Sequence, residues 1–179
     1  MKVINNAMQS GYAYPLTMPY GDMSDQPLFK PDLTPKQMLE MGVFGGKYFN
    51  DVLDTNEYPS DWFDNAKLSI TKNPKLNFYK VNASESLAAW KFNGWIHEQD
   101  PRGWFEWYCR FYMGRRSDDD IRQIKRHINY KRFLGALRRY STHPCDGKGL
   151  KTKQSLLHWG YDARKLSYYK TFGEQINEL

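Results

Sequence analysis

Two cysteines in 179 residues, Cys109 and Cys145, are too few for a disulfide scaffold, so a reducing compartment is expected. No apolar run approaches the roughly 18 residues a membrane-crossing helix needs, so no membrane partner is expected. The opening residues, Met1-Lys2-Val3-Ile4-Asn5-Asn6, hold no apolar stretch of the kind a secretory signal carries. These absences point to the cytoplasm. The glycines of Gly42-Val43-Phe44-Gly45-Gly46-Lys47 lack the spacing and the trailing Ser/Thr of a nucleotide-binding P-loop. The four histidines and two cysteines do not form the paired clusters of a structural zinc site. No metal and no cofactor are expected.

Aromatic residues are abundant instead. Six Trp, 13 Tyr and 10 Phe make up 16% of the chain, enough ring surface for a packed core and too much for a disordered polymer. Charge is unevenly spread. Residues 1–100 carry 9 Lys+Arg and 12 Asp+Glu, a net of −3, while residues 101–179 carry 17 and 8, a net of +9. Ten basic and three acidic residues lie between Arg110 and Arg139, a density that suits a polyphosphate partner.

Residues 1–33, with Pro15, Pro19, Pro27 and Pro31, read as an extended arm, able to lie across the globule or a second copy of the chain. Residues 34–179 read as one helical domain. Thr34-Pro35-Lys36-Gln37 combines an N-cap, a proline at the first helical position and a capping box, and Gly42 ends that helix. Ser60 is expected to cap a short helix over 61–66, and Ser84 a helix over 85–92 that ends at Asn93-Gly94. Residues 76–81 read as a strand or an extended segment. Asp100 and Pro101 are expected to open a helix over 101–113, closed by Gly114. Its rings, Trp104, Phe105, Trp107, Tyr108, Phe111 and Tyr112, cover every face, which predicts burial nearly all round. Glu106 and Arg110 are spaced to pair. Ser117 is expected to cap the next helix, with Ile121, Ile124 and Ile128 facing inward. Further helices are expected over 130–140, 152–159 and 163–170. The fold class is mainly α, built around the 101–113 helix.

One tract is distinctive: Asp100-Pro101-Arg102-Gly103-Trp104-Phe105-Glu106-Trp107-Tyr108-Cys109-Arg110-Phe111-Tyr112-Met113-Gly114-Arg115-Arg116. It continues through Asp118-Asp119 and Arg122-Gln123-Ile124-Lys125-Arg126 to Leu156-Leu157-His158-Trp159-Gly160-Tyr161. With residues 31–46 and Gly94-Trp95-Ile96, it resembles an uncharacterised family of small proteins from phages, large viruses and some fungi and algae, over about residues 28–162. The resemblance implies a self-contained unit, a phage or viral source and, if phage-encoded, the host cytoplasm. It brings no activity and no catalytic residue.

The leading functional expectation is a small basic nucleic-acid-binding protein. Arg110, Arg115, Arg116, Arg122, Lys125, Arg126, Arg132, Arg138 and Arg139 would contact phosphates from the helices of residues 110–139, since guanidinium groups grip phosphate in bidentate fashion. The turn Asp146-Gly147-Lys148-Gly149, with Lys151 and Lys153 just beyond it, would form an accessory anion site from its amides, with Lys148 and Lys151 as the cationic contacts. A rival is an enzyme acting on a nucleotide or on DNA, with Glu106, Arg110 and Asp118–Asp120 beside an aromatic pocket. Three consecutive helical carboxylates point about 100° apart, which weakens the triplet as a joint metal site. A third reading is a virion or assembly protein whose arm docks on a neighbouring copy. His143 and Cys145 carry no partner that would mark a nucleophile, Cys109 reads as an inert core thiol, and His158 as a packing histidine.

Overall fold

A helix with rings on every face has no side to offer to water, and the rest of the chain has to wrap it. A computed structural model describes residues 1–166, arranged around such a helix. Two short antiparallel strands, β1 (Lys2–Ile4) and β2 (Tyr12–Tyr14), pair with Ile4 opposite Tyr12. Six α-helices follow: α1 (Pro35–Glu40), α2 (Leu87–Phe92), α3 (Trp104–Tyr112), α4 (Asp120–Tyr130), α5 (Arg132–Leu137) and α6 (Leu150–His158). The expected mainly α architecture is observed, with a small two-stranded sheet added. None of the described helices is long and apolar enough to cross a membrane.

Every residue of α3 from Trp104 to Phe111 is buried. Ring packing fixes its surroundings. Phe29 sets its edge against Trp104, Trp107, Tyr108 and Phe111, with centroids 5.4–6.4 Å apart. The polar tips of the buried α3 rings find acceptors: Trp104 Nε1 donates to the Gln123 carbonyl, Trp107 Nε1 to Asp120 Oδ1, and the Tyr108 hydroxyl to the Leu33 carbonyl. Leaving such a group in the interior without a partner would cost about 1–3 kcal/mol, offsetting much of what the ring contributes.

Local signals worked where the chain satisfies itself locally. Thr34 caps α1 with the full reciprocal capping box, and Gly42 follows at φ 61°. Gly114 and Gly160 end α3 and α6 with positive φ. They failed where a distant partner intervenes. Asp100 does not cap α3: Gly103 takes that position at φ 94°, and the Asp100 carboxylate is fully buried against two arginines. Ser86, not Ser84, caps α2, because the Ser84 hydroxyl accepts from Lys72 Nζ at 2.7 Å. Ser117 does not cap α4 either; its N–H and hydroxyl both donate to Asp120. The expected strand at 76–81 is a 3-10 turn (Pro74–Leu76) and loop, started by the Asn73 side chain. The 61–66 helix is reduced to the 3-10 turn Ser60–Trp62. Ile121 and Ile128 face outward; the inward side of α4 is Asp120, Gln123, Ile124 and His127. His127 Nδ1 meets the Trp159 carbonyl at 2.8 Å, and burial drives its pKa down to about 4. The helix expected over 163–170 begins as the 3-10 turn Ala163–Lys165; its remainder lies outside the described residues.

The expected arm over residues 1–33 is built into its own globule. Ile4, Tyr14, Phe29 and Leu33 are buried within the chain. The carbonyl of Gly114 accepts from the Thr17 and Met18 amides, and Gly21 N–H donates to the Tyr112 carbonyl. This intramolecular packing removes the reason to expect pairing with a second copy through the arm. It also makes Gly114 unusually intolerant: φ is 106°, and an added Cβ would stand 2.0 Å from the Met18 carbonyl oxygen. Gly114→Ala is expected to destabilise the fold by at least about 2 kcal/mol, read as the shift in urea denaturation midpoint.

Candidate functional site

Arg110 follows Glu106 by one turn of α3 and is wholly buried, as are Glu57, Asp100 and Arg115 to within 1% exposure. A buried guanidinium has to be met by acceptors on all its N–H groups. Here Nε donates to Glu57 Oε1 at 2.6 Å, one terminal nitrogen to Asp100 Oδ1 at 3.0 Å and the Gln99 carbonyl, and the other to Gln9 Oε1 at 2.6 Å. Arg115 completes the cluster with a 2.7 Å bond to Asp100 Oδ2 and a 3.2 Å bond to the Tyr12 hydroxyl. The rings of Tyr12 and Tyr14 lie 5.0 and 5.6 Å from the Arg110 guanidinium carbon. Glu106 pairs with Arg110 at 3.4 Å, as its spacing predicts, and accepts from the Arg102 amide at 2.8 Å. Burial is the larger influence on Glu106 and pushes its pKa up to about 7.

The cationic face expected from the arginines of α3 and α4 is therefore not assembled there. Arg110 and Arg115 are interior and committed to carboxylates. Arg116 forms a two-pronged pair with Asp25 and covers the Phe111 ring at 3.8 Å. Arg122 is forked onto Asp119. Arg126 lies over Trp90 and Trp159 and donates to the Trp95 carbonyl and Gln123 Oε1. Lys125, Arg132, Arg138, Arg139, Lys148 and Lys151 are exposed. The expected anion cradle at 146–149 is filled from within: Asp146 accepts from the amides of Thr142, His143 and Lys148 and from Lys153 Nζ.

The acidic triplet diverges, as helical geometry requires. Asp118 is exposed, Asp119 turns to Arg122 and Gln123, and Asp120 to Trp107 and Ser117. None joins Glu106, so the catalytic set that the enzyme reading needed is not brought together. Burial holds the Cys109 thiol well above its ordinary pKa, consistent with an inert core thiol. His158 reaches the Val43 carbonyl at 2.9 Å and is held near pKa 4 by burial, a packing role.

Two groupings escaped the sequence. His97, Asp100 and Asp119 each offer a ligand atom, and these atoms lie within 4.8 Å of one another. No fixed spacing links the three positions, so only the tertiary fold unites them. The second is an open cleft of about 440 Å³ lined by Tyr130 and Phe133, whose centroids are 4.6 Å apart, together with Lys151, Thr152, Ser155 and the segment from Asn82 to Glu85. Two of the lining residues are tied from outside the cleft by Lys72, whose Nζ donates to Asn82 Oδ1 and Ser84 Oγ. Comparison with protein-family models, curated proteins and solved structures finds no match for the chain.

Glu106 supplies a test of the buried cluster. Its folded pKa near 7 exceeds the value of 4.5 for a free carboxyl, so the folded state holds a proton that the unfolded chain releases. Stability from this group is complete below pH 4.5 and is lost as pH rises toward 7, at a slope of about 1.4 kcal/mol per unit. Glu106→Gln cannot titrate. It is expected to gain stability relative to the native chain between roughly pH 5 and 7 at that slope, measured by chemical denaturation at each pH. The buried histidines titrate in both chains and cancel from the difference.

Proposed function

We propose that the protein binds nucleic acid through the exposed cations of α4, α5 and α6 and the cleft between them. One observation carries the reading: charge is sorted by depth. Residues 121–166 contain 12 Lys and Arg against two acids, Asp146 and Asp162, a net of +10. Both acids are spent locally, on Lys153 at 2.8 Å and Arg164 at 2.7 Å. Lys125, Lys131, Arg132, Arg138, Arg139, Lys148 and Lys151 stand exposed on the same three helices and their loops. Such a surface attracts phosphates and releases their counterions. Tyr130 and Phe133 give the cleft a ring wall on which an unpaired base can stack, and Arg132 lies 5.0 Å over the Phe133 ring. A single-stranded segment fits this combination best.

The reading is tested by fluorescence anisotropy of a labelled single-stranded oligonucleotide across roughly 50 to 200 mM salt. The logarithm of the association constant is expected to fall linearly with the logarithm of salt. The triple variant Arg132→Gln, Arg139→Gln, Lys151→Gln is expected to reduce the slope by about 2 units, at roughly 0.7 per lost contact. Arg116→Gln, whose charge is already paired, leaves the slope unchanged. A flat salt response, or a triple variant that binds like the native chain, would overturn the reading.

A further inference from the structure

His97, Asp100 and Asp119 come from a turn and from the entry to α4, and they meet beside the buried arginine cluster. Asp100 is 0% exposed and Asp119 6%. Two buried carboxylates beside a half-buried imidazole call for a positive charge between them or close by. Arg110, Arg115 and Arg122 supply part of it. Against these three cations stand the carboxylates of Glu57, Asp100 and Asp119, with Glu106 holding its proton below about pH 7, so the surroundings are close to neutral and not cationic on balance.

We propose that His97, Asp100 and Asp119 bind one first-row divalent metal ion, of the class of Mn²⁺, Fe²⁺ and Zn²⁺. Three atoms no more than 4.8 Å apart have a common centre within about 2.8 Å of each, so closure to ligand distances of about 2.1 Å asks each to move by roughly 0.7 Å. One imidazole nitrogen with two carboxylate oxygens suits these ions; Mg²⁺ and Ca²⁺ favour oxygen alone. Water completes the coordination.

The neighbouring side chains have the arrangement such an ion needs. Arg110 and Arg115 grip both oxygens of Asp100, and Gln123 Nε2 donates to Asp119 Oδ2 at 2.8 Å, which fixes the carboxylate planes. Outer partners of this kind orient ligands and tune affinity. Arg122 is different. Its side chain is 42% exposed against 4% for Asp119, so it is the partner with room to swing into solvent when a dication takes the carboxylate. The imidazole gives up little: Gln99 N–H donates to Nδ1 at 3.3 Å, and ligation through either ring nitrogen costs only that long bond. A second observation points to a ligand. Arg115 Nε is buried and has no acceptor among the described residues, while its Nη2 holds Asp100. A water on the ion offers that acceptor.

The test uses the untagged full chain, stripped with a chelator and titrated with Mn²⁺ by electron paramagnetic resonance and with Zn²⁺ by calorimetry. One saturable Mn²⁺ site per chain is expected. His97→Ala and Asp119→Asn are expected to weaken it at least tenfold with unchanged far-ultraviolet circular dichroism, while His143→Ala, at an exposed histidine, leaves it intact. Arg122→Ala separates a metal site from a plain ion-pair network: freeing Asp119, which Gln123 still holds, is expected to hold or tighten Mn²⁺ affinity, with the fold checked by circular dichroism. Absence of a saturable site in both the native chain and Arg122→Ala, or binding indifferent to His97→Ala, overturns the proposal. Nucleic-acid binding by α4–α6 does not depend on this result.

Discussion

Arg110 carries a charge that never reaches water, and most of the irregular architecture serves to answer it. A guanidinium in the interior is tolerable only when each of its donors is engaged and its charge is balanced nearby. Glu57, Asp100 and Glu106 balance it, and Gln9 and the Gln99 carbonyl take the remaining donors. The partners come from four separate stretches of chain. Long loops between residues 41 and 103 thus acquire fixed positions with little regular structure of their own. Replacing Arg110 would strand several buried carboxylates at once, a larger penalty than the loss of any one ring contact.

The legible part of the fold was the part decided within a few residues. The capping box at Thr34, the glycine stops after α1, α3 and α6, and the all-round apolar character of α3 follow from local geometry, and the structure keeps them. The isoleucine stripe of α4 misled because two polar residues, Gln123 and His127, found buried partners in Asp119 and the Trp159 carbonyl, and so took the inward face. Asp100 misled for the same reason. A carboxylate before proline reads as a cap until an arginine ten residues on claims it.

The candidate site was legible in sign and illegible in place. Composition located the positive charge in the second half of the chain, yet it could not say which arginines had acids waiting elsewhere. Glu57 is 53 residues from Arg110, and Asp25 is 91 from Arg116. Those pairings remove the α3–α4 junction from the surface charge and leave the cations of α5 and the α6 entry as the exposed remainder. Where an acid goes in such a chain decides which cations are left at the surface.

The β1–β2 hairpin adds a temporal side to this arrangement. Gln9 and Tyr12 find their partners 101 and 103 positions downstream. Two three-residue strands are not stable by themselves. During synthesis they therefore emerge as an unpaired ribbon and wait until α3 and the turn after it have left the ribosome. Contacts of such long sequence separation carry a large loop-closure cost, so the arginine cluster depends on the rest of the fold bringing its ends together.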